Sequence, residues 1–292
     1  MPELPEVETV RRGLESLIVG KTIETITHDN EKSFPNDPVV VSEFAIRAKI
    51  TTIKRRAKVL LIELSTNYTF MVHLKMTGQM VYVGNERFGA GHPNDSLVGI
   101  LPDKSTRVEM HFTDSSTLYF NDQRKFGWMK LIPHELVSED VFMQKVGPEP
   151  LEKSFTDTLF IERIRRRKNT SIKAALLDQT VLAGVGNIYA DESLWGAKIH
   201  PATLVWDISD GQLKLLHKEL LYVLKLAIEK GGSTDKNYVN AEGMRGSYID
   251  FARVFRKENQ PCPRCQKTIQ KTRIAGRGTH VCLVCQEAPE HI

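Results

Sequence analysis

All four cysteines of this 292-residue chain lie near its carboxyl end, as Cys262-x2-Cys265 and, after sixteen intervening residues, Cys282-x2-Cys285. No other feature restricts the fold as much, because two such pairs, each on its own tight turn, offer four thiolates to one tetrahedral ion. The spacing predicts a two-stranded zinc ribbon with one structural Zn2+; four unligated thiols are the alternative. In so small a module metal ligation supplies most of the folding free energy, about 10–16 kcal/mol in comparable peptides. The hairpin between the pairs carries Lys267, Lys271, Arg273 and Arg277, and cations there suit phosphate.

Charge agrees with this. Between positions 251 and 285 eight Lys or Arg residues stand against one acid, Glu258, although the whole chain carries only +4. That asymmetry points to a polyanion at the carboxyl end. The length admits two domains on the usual scale of about 150 residues each. Hydrophobic residues make up 41% and mean hydropathy is −0.29, values of a soluble globular protein. There is no run of about 18 apolar residues and no basic-then-apolar start. The expectation is a cytoplasmic protein with no membrane contact, in which paired cysteines hold metal rather than disulfides.

The other end carries a different chemistry. Removal of Met1, which a small second residue permits, would leave Pro2 with a free secondary amine, a nucleophile that passes directly to an iminium ion on attacking carbon. With Met1 retained the same nitrogen is an inert amide. Val7, Val10, Leu14, Leu17 and Ile18 recur at steps of three and four, the mark of an amphipathic helix. Pro5, Glu6 and Glu8 suit its first turns, so Pro2 and Glu3 would stand just ahead of a helix amino terminus.

From about 22 to 132 the chain reads as strands, including 45–53, 58–64, 69–74, 80–83, 107–112 and 117–121, with 84–103 a loop. Strands at such spacing suggest a β-sandwich or barrel. The period then changes, and 155–167, 171–177, 188–195 and 209–229 read as helices, with Gly147-Pro148-Glu149-Pro150 a linker. Gly231-Gly232 ends the last long helix. Between two of these helices Gly184-Val185-Gly186-Asn187 forms a turn suited to an anion. Met76, Arg124 and Phe126, at strand ends, are either core residues or an apolar and cationic wedge able to enter a base stack.

Four segments carry a resemblance when read together: Pro2-Glu3-Leu4-Pro5-Glu6-Val7-Glu8-Thr9, the Asp122-x-Arg124-x-Phe126-Gly127 loop, Gly184-Val185-Gly186-Asn187-Ile188-Tyr189, and Ala275-Gly276-Arg277-Gly278-Thr279-His280 within the ribbon. In this order they resemble the bacterial formamidopyrimidine-DNA glycosylase family, from Pro2 to Cys285. The resemblance implies an α+β fold in two domains: an amino-terminal helix with a β-sandwich (1–133), a linker (134–150), a helix-two-turns-helix module (151–250) and a zinc ribbon (251–292). Double-stranded DNA with an oxidised base or abasic site would lie in the cleft between the domains, bound by a monomer in the bacterial nucleoid.

The implied activity is removal of oxidised purines such as 8-oxoguanine and formamidopyrimidines, followed by β- and δ-elimination at the sugar. Pro2 would attack C1′ and Glu3 would relay protons; Lys58 matches the hairpin lysine near the lesion phosphate, and Arg277 is counted with them as a catalytic position that contacts phosphate. Met76, Arg124 and Phe126 would fill the space of the extruded base, with Arg124 facing the orphaned cytosine. His73, Lys173, Asn187, Tyr248 and Arg277 match DNA-contacting positions. Glu6, Ser233, Thr234, Lys236 and Tyr238 would line the base pocket, within a lesion-capping loop at 233–247.

Leu4 and the set Met76, Arg124 and Phe126 favour the oxidised-purine branch over the endonuclease VIII-like branch that takes oxidised pyrimidines. A zinc-ribbon damage binder without catalysis is the third reading. Three places depart from the family pattern: Lys104-Ser105-Thr106-Arg107 where Lys-His-x-His is frequent, Ala57 where Gly is usual, and Phe255-Arg256-Lys257 where Tyr-Gly-Arg is more common.

Overall fold

The computed structural model describes residues 1–233 and 248–289. Two compact units emerge: Met1–Gln144 with the stretch that starts at Lys230, and Lys145–Glu229 with the stretch that starts at Tyr248.

The first unit begins with α1 (Leu4–Ile18), whose buried stripe is Leu4, Val7, Val10, Leu14, Leu17 and Ile18. A five-stranded antiparallel sheet follows the order β1-β7-β8-β5-β6. Its strands are β1 (Ile23–His28), β5 (Gly78–Val83), β6 (Arg87–Gly91), β7 (Thr106–Phe112) and β8 (Thr117–Asp122). A second sheet has the order β2-β3-β4-β9, from β2 (Ile50–Arg56), β3 (Val59–Leu64), β4 (Tyr68–His73) and β9 (Trp128–Pro133). One core joins the inner faces of both sheets, with Ile62, Phe70 and Leu131 from one and Met80, Met110 and Phe120 from the other, and α1 closes onto it. Contact there is tight: a Cβ on Gly13 would stand 2.1 Å from Phe88 Cζ. The expected sandwich is therefore present.

Two local expectations need correction. The stretch 45–53 is extended only from Ile50; before it stands α2 (Pro38–Phe44), where Asp37 accepts the Val39 N–H at 2.7 Å. Three successive valines hid a helix that the Asp-Pro start announces. The loop 84–103 contains β6 and a 3-10 turn, Asp95–Leu97. Gly89 and Gly91 have low strand preference, yet their backbones pair with β5. A short α3 (Val141–Lys145) follows β9.

The second unit contains α4 (Asp157–Arg165), α5 (Ile172–Leu177), α6 (Asn187–Gly196), α7 (Asp210–Glu229) and α8 (Tyr248–Phe251), then the hairpin β10 (Gln270–Ile274) and β11 (Arg277–Val281). Thr156 and Ser171 cap α4 and α5 by accepting the N–H groups of Leu159 and Ala174. Leu176, Tyr189, Leu194, Leu216, Leu220 and Leu224 form the centre of its core. Residues Tyr189–Gly196 of α6 are all buried, acids included. A helix buried on all sides must satisfy its charges internally, and α6 does so through the ribbon.

Candidate active site and nucleic-acid interface

The helix start of the first unit sets the site's first elements. Pro2 is buried, Glu3 is 3% exposed and Glu6 is 5% exposed. Glu3 is the N-cap of α1, and Glu6 Oε2 accepts its N–H at 2.8 Å in a capping box. Glu6 Oε1 accepts the N–H of Ser233 at 2.7 Å. One carboxylate therefore fixes both the backbone beside Pro2 and the turn that follows α7. Gly231 and Gly232 turn there with φ of 75° and 84°, and a Cβ on Gly232 would meet Glu6 Oε1 at 3.1 Å. Of the expected base-pocket set, Glu6 and Ser233 are thus brought together; Thr234, Lys236 and Tyr238 lie outside the described residues.

Lys58, in the turn just before β3, and His73, at the end of the adjacent β4, are both buried, with Val59 opposite His73 in the register. Burial first, then the charges of Lys75 and Lys58, lower the His73 ring to about 3, so it is neutral. Its Nδ1 accepts the Lys75 N–H at 2.9 Å, which leaves the proton on Nε2, a donor for an anionic oxygen. Met76 is half-buried, whereas Arg124 and Phe126 are exposed, and the Arg124 guanidinium lies 4.8 Å from the centre of the Phe126 ring. Phe126 is 55% exposed, so it is not a core residue.

In the second unit Lys173 departs from expectation. It is wholly buried and its Nζ donates to Asp191 Oδ1 and Thr279 Oγ1, both at 2.6 Å, and to the Gly278 carbonyl at 3.2 Å. The expected direct contact with DNA gives way to a brace between α5, α6 and the ribbon hairpin. Tyr248 needs a similar correction: it is 1% exposed and its hydroxyl donates to Glu192 at 3.3 Å, with burial raising its pKa far above the phenol range. Asn187, at the first turn of α6, donates to the Gly278 carbonyl at 3.0 Å, and its buried Oδ1 has no partner among the described residues. Arg277 stands exposed at the hairpin turn with Lys271 and Arg273.

Sequence reading missed the adjacent acids of α6. Asp191 accepts the His280 N–H at 2.9 Å, and Glu192 accepts those of Val254 at 2.9 Å and Phe255 at 2.8 Å. The signal was two charges inside an otherwise apolar helix.

The four cysteine sulfurs lie within 4.8 Å of one another, with Cys262 and Cys285 at 3.9 Å and Cys265 and Cys282 at 3.4 Å. A tetrahedral zinc with bonds of about 2.3 Å needs sulfur separations of about 3.8 Å, and the set fits it. Burial, with the neighbouring thiols, pushes Cys285 up to about 12; a divalent cation at the centre reverses that by stabilising the thiolates. Trp195 on α6 donates its indole N–H to Cys262 Sγ at 3.4 Å, and Arg264 stacks on the same ring at 3.9 Å. These four cysteines hold one zinc ion.

Comparison with known proteins places this geometry. Residues 1–129 match the formamidopyrimidine-DNA glycosylase N-terminal domain, 146–238 the formamidopyrimidine-DNA glycosylase H2TH domain, and 259–288 the zinc finger found in FPG and IleRS. Formamidopyrimidine-DNA glycosylase of Ligilactobacillus salivarius is 40% identical over 286 residues, covering 98% of this chain and 99% of its own. A Lactococcus lactis FPG mutant in complex with Fapy-dG containing DNA superposes with a TM-score of 0.87 at 35% identity, over 98% of this chain and 100% of that one. MutM in complex with carbocyclic 8-oxo-G containing DNA does so with a TM-score of 0.84 at the same identity and coverage.

Proposed function

The chain belongs to the formamidopyrimidine-DNA glycosylase family, and from that membership we propose that it removes oxidised purines from duplex DNA and then cleaves the abasic strand through its amino-terminal proline. The observation that carries the reading is the fixed head of α1, where Pro2 and Glu3 are buried and Glu6 holds the Glu3 backbone at 2.8 Å. Once Met1 is removed, the Pro2 nitrogen forms a bond to C1′ as the glycosidic bond breaks and the base leaves with a proton. Glu3 protonates the ring oxygen as the sugar opens, giving the iminium. Loss of a C2′ proton expels the 3′-phosphate, loss of a C4′ proton expels the 5′-phosphate, and water releases the sugar fragment from Pro2.

The remaining roles follow. Lys58 and the neutral His73 would serve the lesion-side phosphates, and Arg277 and Asn187 the flanking ones. Met76, Arg124 and Phe126 would occupy the vacated stack, whose opening costs a few kcal/mol. Glu6 and Ser233 would border the extruded base.

The test is borohydride trapping on a duplex with 8-oxoguanine opposite cytosine, alongside amino-terminal sequencing of the protein. A covalent adduct that maps to Pro2 is expected, and Glu3→Gln should suppress it. Protein that starts at Pro2 but yields no adduct, even on a preformed abasic site, would make the chain a damage binder. A clear preference for thymine glycol would move it to the oxidised-pyrimidine branch.

A further inference from the structure

We propose that Thr77 and Asp122 are positioning residues that lock the Met76 loop and the loop holding Arg124 and Phe126 into one rigid wedge, and that discrimination of the base opposite the lesion depends on this lock. The inference rests on the reading of Met76, Arg124 and Phe126 given above.

Topology brings the two loops together. β5 begins at Gly78, β8 ends at Asp122, and these two residues are register partners, so both loops leave the sheet side by side. Asp122 is fully buried and has no cationic partner among the described residues. Its four donors come from the two loops. Oδ2 accepts the N–H groups of Phe126 at 2.8 Å and Gly127 at 2.6 Å; Oδ1 accepts that of Arg124 at 3.2 Å and the Thr77 hydroxyl. Thr77 Oγ1 in turn accepts the Arg124 N–H at 3.1 Å. The Thr77 hydroxyl thus ties the first loop to the carboxylate that shapes the second.

Both loops are preset in other respects too. Lys75 and Lys125 turn through the left-handed region, with φ of 50° and 56°. A Cβ on Gly78 would fall 2.2 Å from the Leu74 carbonyl oxygen, and one on Gly127 would fall 2.6 Å from Phe120 Cζ. A wedge that enters a base stack must offset the unstacking cost, and any slack between its parts is lost freedom added at binding. Arg124 reads its partner base by hydrogen bonds, which tolerate little misplacement. Its backbone N–H is shared between the two linked residues, so the lock sets where its guanidinium starts.

The experiment measures single-turnover excision of 8-oxoguanine opposite cytosine and opposite adenine. Thr77→Val should lower the cytosine-to-adenine ratio about tenfold, the worth of one lost hydrogen bond to a carboxylate. Thr77→Ser, which restores the hydroxyl, should retain the parent ratio. In the parent, the losses from Met76→Ala and Arg124→Ala should be coupled; in the Thr77→Val background they should simply multiply. Thr77→Ala is read in the same way should the valine perturb folding, with melting temperature and bound zinc as controls. An unchanged ratio in a folded Thr77→Val, with Arg124→Ala collapsing it, overturns the lock and leaves the wedge standing. A ratio indifferent to Arg124→Ala and Met76→Ala overturns both.

Discussion

Ala57 and Arg256 both sit in the left-handed region, with φ of 55° and 57°, at the two positions where the family pattern more often has glycine. Ala57 is the first central residue of the two-residue turn between β2 and β3, a place where a II′ hairpin favours glycine. An L-residue there costs about 1–2 kcal/mol, partly offset by the greater freedom glycine has when unfolded. Ala57→Gly and Arg256→Gly should therefore each stabilise the protein by about 0.5–1 kcal/mol net in urea unfolding. A loss of stability in both would mean that the local backbone is not strained. His73 makes a second residue-scale prediction. Its folded value of about 3 lies below the free value of 6.5, so between those values the unfolded chain binds a proton that the folded chain does not. Stability must fall as pH falls through this window, by about 1.4 kcal/mol per unit from this group. From pH 6.5 to 5, His73→Gln should lose about 1.6 kcal/mol less than the parent, and equal losses would show that His73 is protonated in the fold.

At the scale of elements, the β10–β11 hairpin is anchored at two places of different chemistry. Four thiolates and zinc secure its base, while Asp191, Lys173 and Asn187 hold β11 beside α5 and α6. The exposed turn is left to carry Arg277. Removing zinc should take away the first anchor and with it DNA binding. Chelation followed by titration with labelled duplex tests this, and full affinity at zero bound zinc would deny the ribbon a part in binding. Trp195 reports on the same event, because its indole donates to Cys262, and its fluorescence should change in step with zinc loss.

For the whole molecule the uneven charge matters more than the net charge. The cations of positions 251–285 would give a sequence-independent contribution to binding, because each one that meets a phosphate displaces counterions condensed on the DNA. Arg277→Ala should weaken binding to damaged and undamaged duplexes alike and reduce the salt slope by about one unit. A deficit confined to damaged DNA would place Arg277 at the lesion instead. Expectation and structure diverge along the chain in a consistent way. The α1 stripe, the long α7 and the cysteine pairs were legible because periodicity and ligand spacing are local. α2 and β6 were not, since a valine run and a glycine run each contradict the element they form.

The sequence by itself determined the groups on which the proposed chemistry rests: a proline that can become a terminal amine, a glutamate beside it, four thiols at ribbon spacing and a basic carboxyl end. These are properties of residue type and order, and they need no partner from elsewhere in the chain. Only the tertiary structure decided which polar groups reach solvent. Lys173, Tyr248 and Glu192 look in sequence like other polar residues, yet each is buried among donors or acceptors drawn from distant segments. A buried polar group must be paired, and its partners are chosen by the fold rather than by its neighbours in the chain.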